Sequence, residues 1–265
     1  MRSVKFIGVE LRSMPQFISI LVSAPAILVY IVWSRLSSAT VVTGSSVFPV
    51  PPNYNLQAQV LANLTSDTSI FVSFGLAQWK AFFNAVSAAV VFDFILGGLL
   101  GAFIFGVPIA RGTVIHDIAA LGSKGRVLAV RTLFLVLCAT LLSSLTAVFL
   151  YYLPPGFGIS PDARFFLVLL GTSFLSILSS AFLTLLLAAL SRDLVVPVLG
   201  VFTVFVGILA GGNFARLLLP FKDLTFILWS SSRFGHPGDY LYSGFVLYTV
   251  LSVLAVKAFE GGDFY

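Results

Sequence analysis

Long apolar runs divide the chain into segments that are each near the length at which a helix crosses a bilayer. An α-helix needs about 20 residues to cross a hydrocarbon core about 30 Å thick. The runs are rich in Phe, Leu, Val and Gly and do not alternate with polar residues, which favours helices over the strands of a barrel. We predict an all-α protein with six transmembrane helices, at roughly 17–34, 82–108, 127–152, 165–190, 194–212 and 240–259.

Composition supports a membrane protein and removes the need for a nucleic-acid partner. Hydrophobic residues make up 58% of the chain and charged residues 9%, and the mean hydropathy is +1.05. A soluble domain of this length carries far more charge. The formal charge of +5 is accounted for by basic residues flanking membrane spans. The single cysteine, Cys138, has no partner for an internal disulfide.

The positions of the basic residues predict the orientation. An even number of spans puts both termini on one side of the membrane. That side would hold nine of the 15 basic residues, and cytoplasmic loops collect Lys and Arg. We therefore predict that both termini are cytoplasmic, together with these basic residues: Arg2, Lys5, Arg12, Arg111, Lys124, Arg126, Arg131, Arg192 and Lys257.

The segments between the spans predict one domain, 1–265, with four accessory regions. Val4, Ile7 and Leu11 have helical spacing, which predicts a cytoplasmic interfacial helix over residues 1–14. Segments 35–81 and 213–239 are predicted to be extracytoplasmic, and the first contains a glycosylation sequon at Asn63. Residues 111–126 form the fourth region, a cytoplasmic loop.

This cytoplasmic loop is the first part of the stretch "RGTVIHDIAALGSKGRVLAVR". The pattern of apolar residues in the loop predicts a short amphipathic helix. Val114, Ile118 and Leu121 share one face with Ile115 beside them, while His116 and Asp117 are expected to point elsewhere. Gly122 is expected to end this helix, and Ser123 is expected to cap the next helix, which begins near Lys124. On periodicity alone, an inert positive-inside loop and a docking element both remain open.

Polar and small residues within the spans are candidates for a transport path or for helix packing. Asp93 lies well inside the second predicted span, where inserting a charged carboxylate into the membrane costs a free energy of about 2.5 to 3.5 kcal/mol. It either lines a wet path or bonds to neighbouring polar side chains. Gly97 and Gly101, like Gly207 and Gly211, have the spacing that allows close helix approach, and packing is the favoured interpretation for both pairs.

Known catalytic motifs are missing from the sequence. No stretch fits GxxxxGK[ST], because "GSKGR" has neither the spacing nor the hydroxyl. The two histidines, His116 and His236, are predicted on opposite sides of the membrane, so HExxH and paired-histidine metal sites are excluded. There is also no GxSxG motif. We expect a protein that is not an enzyme and holds no metal or cofactor of its own.

The loop and both chain ends resemble the permease subunits of the type-2 family of ATP-binding-cassette transporters. The resemblance rests on Arg111-Gly-Thr, on a short amphipathic helix with a small-residue turn, and on the basic Arg131 within the next span. The start, "KFIGVELRSMPQFISILVSAPAIL", and the end, "AVKAFEGGDFY", resemble the family's entry helix and closing motif. The chain departs from the pattern in lacking an acidic pair before Arg111 and a proline before the turn.

This resemblance implies half of an exporter-type transport pathway in the cell membrane. The family pairs two six-span subunits, identical or related, with two separate ATPase subunits that bind ATP and Mg. It implies ATPase contacts at His116, Asp117, Gly122, Ser123 and Lys124, with Val114, Ile118 and Leu121 anchoring the helix to the spans. It also implies a secondary contact through Lys5, Glu10 and Arg12.

A passive channel, scramblase or scaffold without an ATPase partner is the alternative, and in that case the loop is only an orientation signal.

Overall fold

The structure, a computed structural model, describes residues 15–43, 69–157, 163–210 and 238–262, and all of its regular elements are helical. We number the helices in chain order. A 3-10 turn, Pro154–Phe157, lies between the fourth and the fifth of them. The helices are α1 (Pro15–Thr43), α2 (Ser69–Gly101, continued by a π-helical turn over Ala102–Gly106 and an α-helical turn over Val107–Ala110), α3 (Val114–Leu121), α4 (Lys124–Tyr152), α5 (Ala163–Ser191), α6 (Val195–Ala210) and α7 (Gly238–Gly261).

Three of these helices are long and apolar enough to cross a bilayer, which fits an α-helical membrane protein. They are Ala85–Ala110, Lys124–Tyr152 and Phe166–Ser191, and each has a mean hydropathy above 2 over its most apolar window. Val22–Ser37 and Val195–Val204 are shorter apolar helices. The all-α prediction agrees with the described residues. Six crossings and cytoplasmic termini stay predictions.

The helices extend further into the first predicted outer segment than the sequence pattern indicated. α1 continues to Thr43 and α2 begins at Ser69, so both ends of segment 35–81 are helical. Residues 40–43 are all β-branched and have low helix propensity, but such propensities are weak compared with the demand for backbone hydrogen bonds in apolar surroundings. Asn63, the N-terminal region 1–14 and most of segment 213–239 lie outside the described residues.

α5 is the central helix of the bundle. It packs against α2, α4, α6 and α7, and its middle part is buried on all sides. A helix surrounded by neighbours must satisfy its polar side chains within the protein. Several of its hydroxyls therefore bond to backbone carbonyls, either within α5 or across to α2. The buried polar residues of α5 are Thr172, Ser173, Ser176, Ser179, Ser180 and Thr184.

Glycines of α2 allow it to lie directly against α5. A Cβ added at Gly97 would overlap the Ile177 carbonyl oxygen, and one at Gly101 would come within 2.8 Å of the Ala181 backbone. At the same contact, Thr184 Oγ1 of α5 donates to the Gly98 carbonyl. Small residues permit such close backbone approach in membrane helices. The packing interpretation of Gly97 and Gly101 therefore agrees with this contact.

Replacing Gly97 with alanine should destabilise the bundle, because the new methyl group would meet backbone rather than a flexible side chain. We expect a loss of about 1 to 3 kcal/mol, measured as a lower midpoint of thermal unfolding in detergent. Gly125→Ala is the matched control, because a Cβ there meets nothing within 4 Å. Equal midpoints for the two variants would show that α2 and α5 are not in backbone contact.

Candidate functional site

The loop between α2 and α4, predicted to be cytoplasmic, contains a complete short helix, α3, with a defined end. Gly122 follows it at φ 83°, a left-handed conformation that glycine adopts without strain, and its N–H donates to the Ile118 carbonyl. Ser123 Oγ then accepts a hydrogen bond from the Arg126 N–H at the start of α4. Both terminal features predicted from the sequence, the glycine stop and the serine cap, are confirmed.

The inner face of α3 packs against the bundle. Val114 is only 1% exposed, and the partly buried Ile118 and Leu121 contact the same hydrophobic cluster. Asp117 is also on this face, at 5% exposed. The expectation that Asp117 points away from the apolar side chains was wrong. Residues 114, 117, 118 and 121 are spaced three or four apart, so they belong to one helical face, and a carboxylate can join it when a partner is available.

That partner is Arg131, one of the basic residues of α4. Its Nη2 lies 2.5 Å from Asp117 Oδ2, and both side chains are 7% exposed. A buried ion pair is tolerated when each charge is satisfied, and removing one partner of such a pair costs about 3 to 5 kcal/mol. The pair therefore fixes α3 to the third predicted span. The sequence resemblance singled out Arg131 only as a basic residue within a span, and gave no signal that it pairs with Asp117.

The guanidinium of Arg131 also reaches α2, where its Nη1 donates to the Ile104 carbonyl oxygen. This carbonyl lies in the π-helical turn and four residues before Pro108. Proline has no N–H, so the usual helical donor to Ile104 is missing. Arginine supplies a donor in its place. One side chain of α4 thus contacts both the loop helix and the irregular turn of the second span.

The C-terminal end of α7 lies beside the same loop. Lys124 Nζ donates to the carbonyl of Glu260 at 3.1 Å and to that of Gly262 at 2.7 Å. A cation at the last carbonyls of a helix also interacts favourably with the helix dipole. These contacts place the loop beside the end of α7.

The outer face of α3 is exposed. Ile115, at 40% exposed, is a large apolar side chain on this face, and His116, Ala119 and Ala120 are exposed with it. Gly122 and Ser123 extend the exposed surface at the end of the helix. The sequence pattern placed Ile115 beside the anchoring residues, so it was not among the predicted contacts, but the structure turns it outward. This surface offers one apolar side chain surrounded by small and polar ones.

Asp93 lies away from the loop, in the buried interior of the bundle. Its Oδ1 accepts a hydrogen bond from Thr146 Oγ1 at 3.1 Å, and its Oδ2 accepts one from Ser173 Oγ. The side chain is 1% exposed. It therefore joins α2, α4 and α5, which favours the structural interpretation over a position on an open path.

The remaining candidates fall partly outside the described residues. Gly207 lies within α6, whereas Gly211 is not described, so the packing of this pair stays a prediction. The secondary ATPase contacts Lys5, Glu10 and Arg12 are also outside the described part. Across the residues that the structure describes, no group of three or more His, Cys, Asp or Glu side chains could hold a metal ion.

Comparison of the chain with protein-family models, with curated proteins and with solved structures gives no match.

A double-mutant cycle can measure how Asp93 acts. If Asp93 is structural, Asp93→Ala and Ser173→Ala should not be additive, because each removes the same interhelical hydrogen bond. We expect a coupling energy of about 0.5 to 2 kcal/mol between them, from thermal unfolding in detergent. Pairing Asp93→Ala with Thr203→Ala is the control, since the exposed Thr203 donates to Leu199 within α6. A coupling energy of zero for the Asp93–Ser173 pair would contradict the structural role.

Proposed function

We propose that this chain is the transmembrane subunit of an ATP-binding-cassette transporter. It would form half of a substrate pathway in the cell membrane, pair with a second identical or related permease subunit, and bind a separate ATPase subunit. The six-span topology with cytoplasmic termini is part of this proposal. The outward direction of transport follows from the resemblance alone.

The observation that carries the proposal is the construction of α3. Its inner face is held to the bundle by packed apolar side chains and by the buried Asp117–Arg131 pair, while its outer face is exposed. An inert connection would not require a buried ion pair, because a polar loop can remain in water. A short helix that is fixed on one side and exposed on the other is suited to transmit movement of a bound partner.

The chain supplies no ATPase of its own, because its sequence contains no phosphate-binding GxxxxGK[ST] loop. ATP and Mg would therefore bind to the partner. Closure of the ATPase on ATP would displace α3 and, with it, the adjoining ends of α2 and α4. In this scheme the outer surface, with Ile115, His116, Gly122 and Ser123, contacts the ATPase. Val114, Ile118 and Leu121 anchor the helix, and Asp117 positions it instead of touching the partner.

Lys124 has a second role in this scheme. Its contacts with the Glu260 and Gly262 carbonyls join the loop to the end of α7, so a displacement of the loop would also reach the last helix. The N-terminal Lys5, Glu10 and Arg12 remain proposed as secondary ATPase contacts.

A tagged chain purified from its native membrane in mild detergent should carry a protein with a Walker-type phosphate loop. Ile115→Glu should reduce the amount of this partner about tenfold or more, because a charge would replace an apolar side chain at the centre of the contact. Mass spectrometry of the purified complex measures the partner, and ATP hydrolysis measures its activity.

Ile115→Val is the matched control, because it keeps an apolar side chain at the same exposed position and should retain the partner. The proposal fails if no ATPase accompanies the wild-type chain in native membranes. It also loses its docking surface if Ile115→Glu retains as much ATPase as the wild type. A passive channel, scramblase or scaffold predicts instead that no ATPase accompanies even the wild-type chain.

A further inference from the structure

Three elements meet at the guanidinium of Arg131: the loop helix α3 through Asp117, the second span through Ile104, and α4 itself. We propose that the Asp117–Arg131 pair is the joint through which movement of α3 reaches the π-helical turn of α2. This inference rests on the proposed function. It assigns Asp117 and Arg131 as positioning residues and names the π-helical turn of α2 as the part that responds to movement of α3.

The chain connections on either side of α3 cannot transmit its orientation by themselves. Gly112 precedes it at φ 68° and Gly122 follows it at φ 83°. A glycine has a wide range of backbone conformations at little cost, so each connection can rotate. A Cβ at Gly112 would meet nothing within 4 Å, which shows that this connection is not packed in place. Side-chain contacts must therefore hold the orientation of α3.

Among the contacts that hold α3, the buried ion pair is the shortest directional one. The hydrogen bonds from Thr113 Oγ1 to the Pro108 carbonyl and from Arg126 Nη1 to the Leu121 carbonyl are both 3.4 Å long and less buried. The apolar contacts of Val114, Ile118 and Leu121 resist separation from the bundle but permit sliding, because dispersion and hydrophobic forces have no preferred direction. The Asp117–Arg131 contact is short, charged and 7% exposed on both sides. Charge-assisted hydrogen bonds of this kind are among the strongest and the most dependent on geometry.

Arginine is suited to this position because its guanidinium is a rigid fork of donors. One nitrogen, Nη2, binds Asp117, and the other, Nη1, binds the Ile104 carbonyl. A displacement of the carboxylate would turn the fork and so change its bond to Ile104. A lysine has a single ammonium group and would not hold both partners in this fixed relation.

The far end of the joint is a place where α2 can change shape. The π-helical turn Ala102–Gly106 interrupts the regular hydrogen-bond pattern, and Pro108 removes a further donor. Helices bend most readily at such interruptions. Asp93, by contrast, joins α2 to α4 and α5 three turns earlier and contacts no residue of the loop helix in the described hydrogen bonds.

The test compares four chains, the otherwise wild-type chain and three variants, in the purified complex with its ATPase, each in lipid nanodiscs. In a Cys138→Ala background, a cysteine introduced at the exposed Ala110, just beyond the π-helical turn, carries an environment-sensitive fluorophore. Trapping the ATPase with ATP and vanadate should shift the emission of the otherwise wild-type chain. We expect Asp117→Asn to lose at least about half of this shift while the amount of bound ATPase stays the same.

Arg131→Lys keeps a positive charge beside Asp117 and so provides a second variant if Asp117→Asn does not fold. It should also lose about half of the shift or more, because the bond to Ile104 is lost. Lys257→Gln, a change at an exposed residue of α7 that takes no part in the joint, should keep the full shift.

The possible results separate the two proposals. A wild-type chain without a bound ATPase overturns the proposed function. A wild-type chain that binds the ATPase and shows the shift, with the same shift in Asp117→Asn or in Arg131→Lys, overturns the joint and leaves the proposed function standing.

Discussion

The arrangement of this bundle depends on one constraint, the need of Arg131 for partners away from water. A guanidinium that is 6% exposed in an apolar bundle must find an anion and further acceptors within the protein. Asp117 supplies the anion and Ile104 supplies a carbonyl. Meeting this demand brings the loop helix α3, α2 and α4 together, and it determines which face of α3 remains exposed.

The same requirement explains the interior of the bundle. α5 is surrounded by other helices, and four of its buried hydroxyls bond to carbonyls or to Asp93, whereas Ser179 Oγ and Ser180 Oγ have no hydrogen-bond partner among the described residues. Thr184 and Ser176 donate to carbonyls of α2, and the glycines of α2 permit the short distance that these bonds require. Small residues and hydroxyls therefore act together, because close approach of two backbones makes interhelical hydrogen bonds possible.

Periodicity and local chemistry were enough to predict much of this architecture. The apolar runs placed the helices, and Gly122 and Ser123 marked the loop helix and the next one, because caps depend on neighbouring residues alone. The orientation of Asp117 was not predictable in that way. Its burial depends on Arg131, fourteen residues away on another helix, and only the three-dimensional packing brings the two together. Ile115 faces outward for the same reason, since Asp117 occupies the inner position beside Val114.

Irregular backbone and buried charge coincide at this site, and each explains the other. Pro108 removes the usual helical donor to the Ile104 carbonyl, and Arg131 donates to that carbonyl. Without Arg131 the proline would leave a carbonyl unsatisfied in apolar surroundings, at a cost of about 1 to 3 kcal/mol. The presence of both features beside an exposed helix is the basis of the proposal that this end of the protein moves.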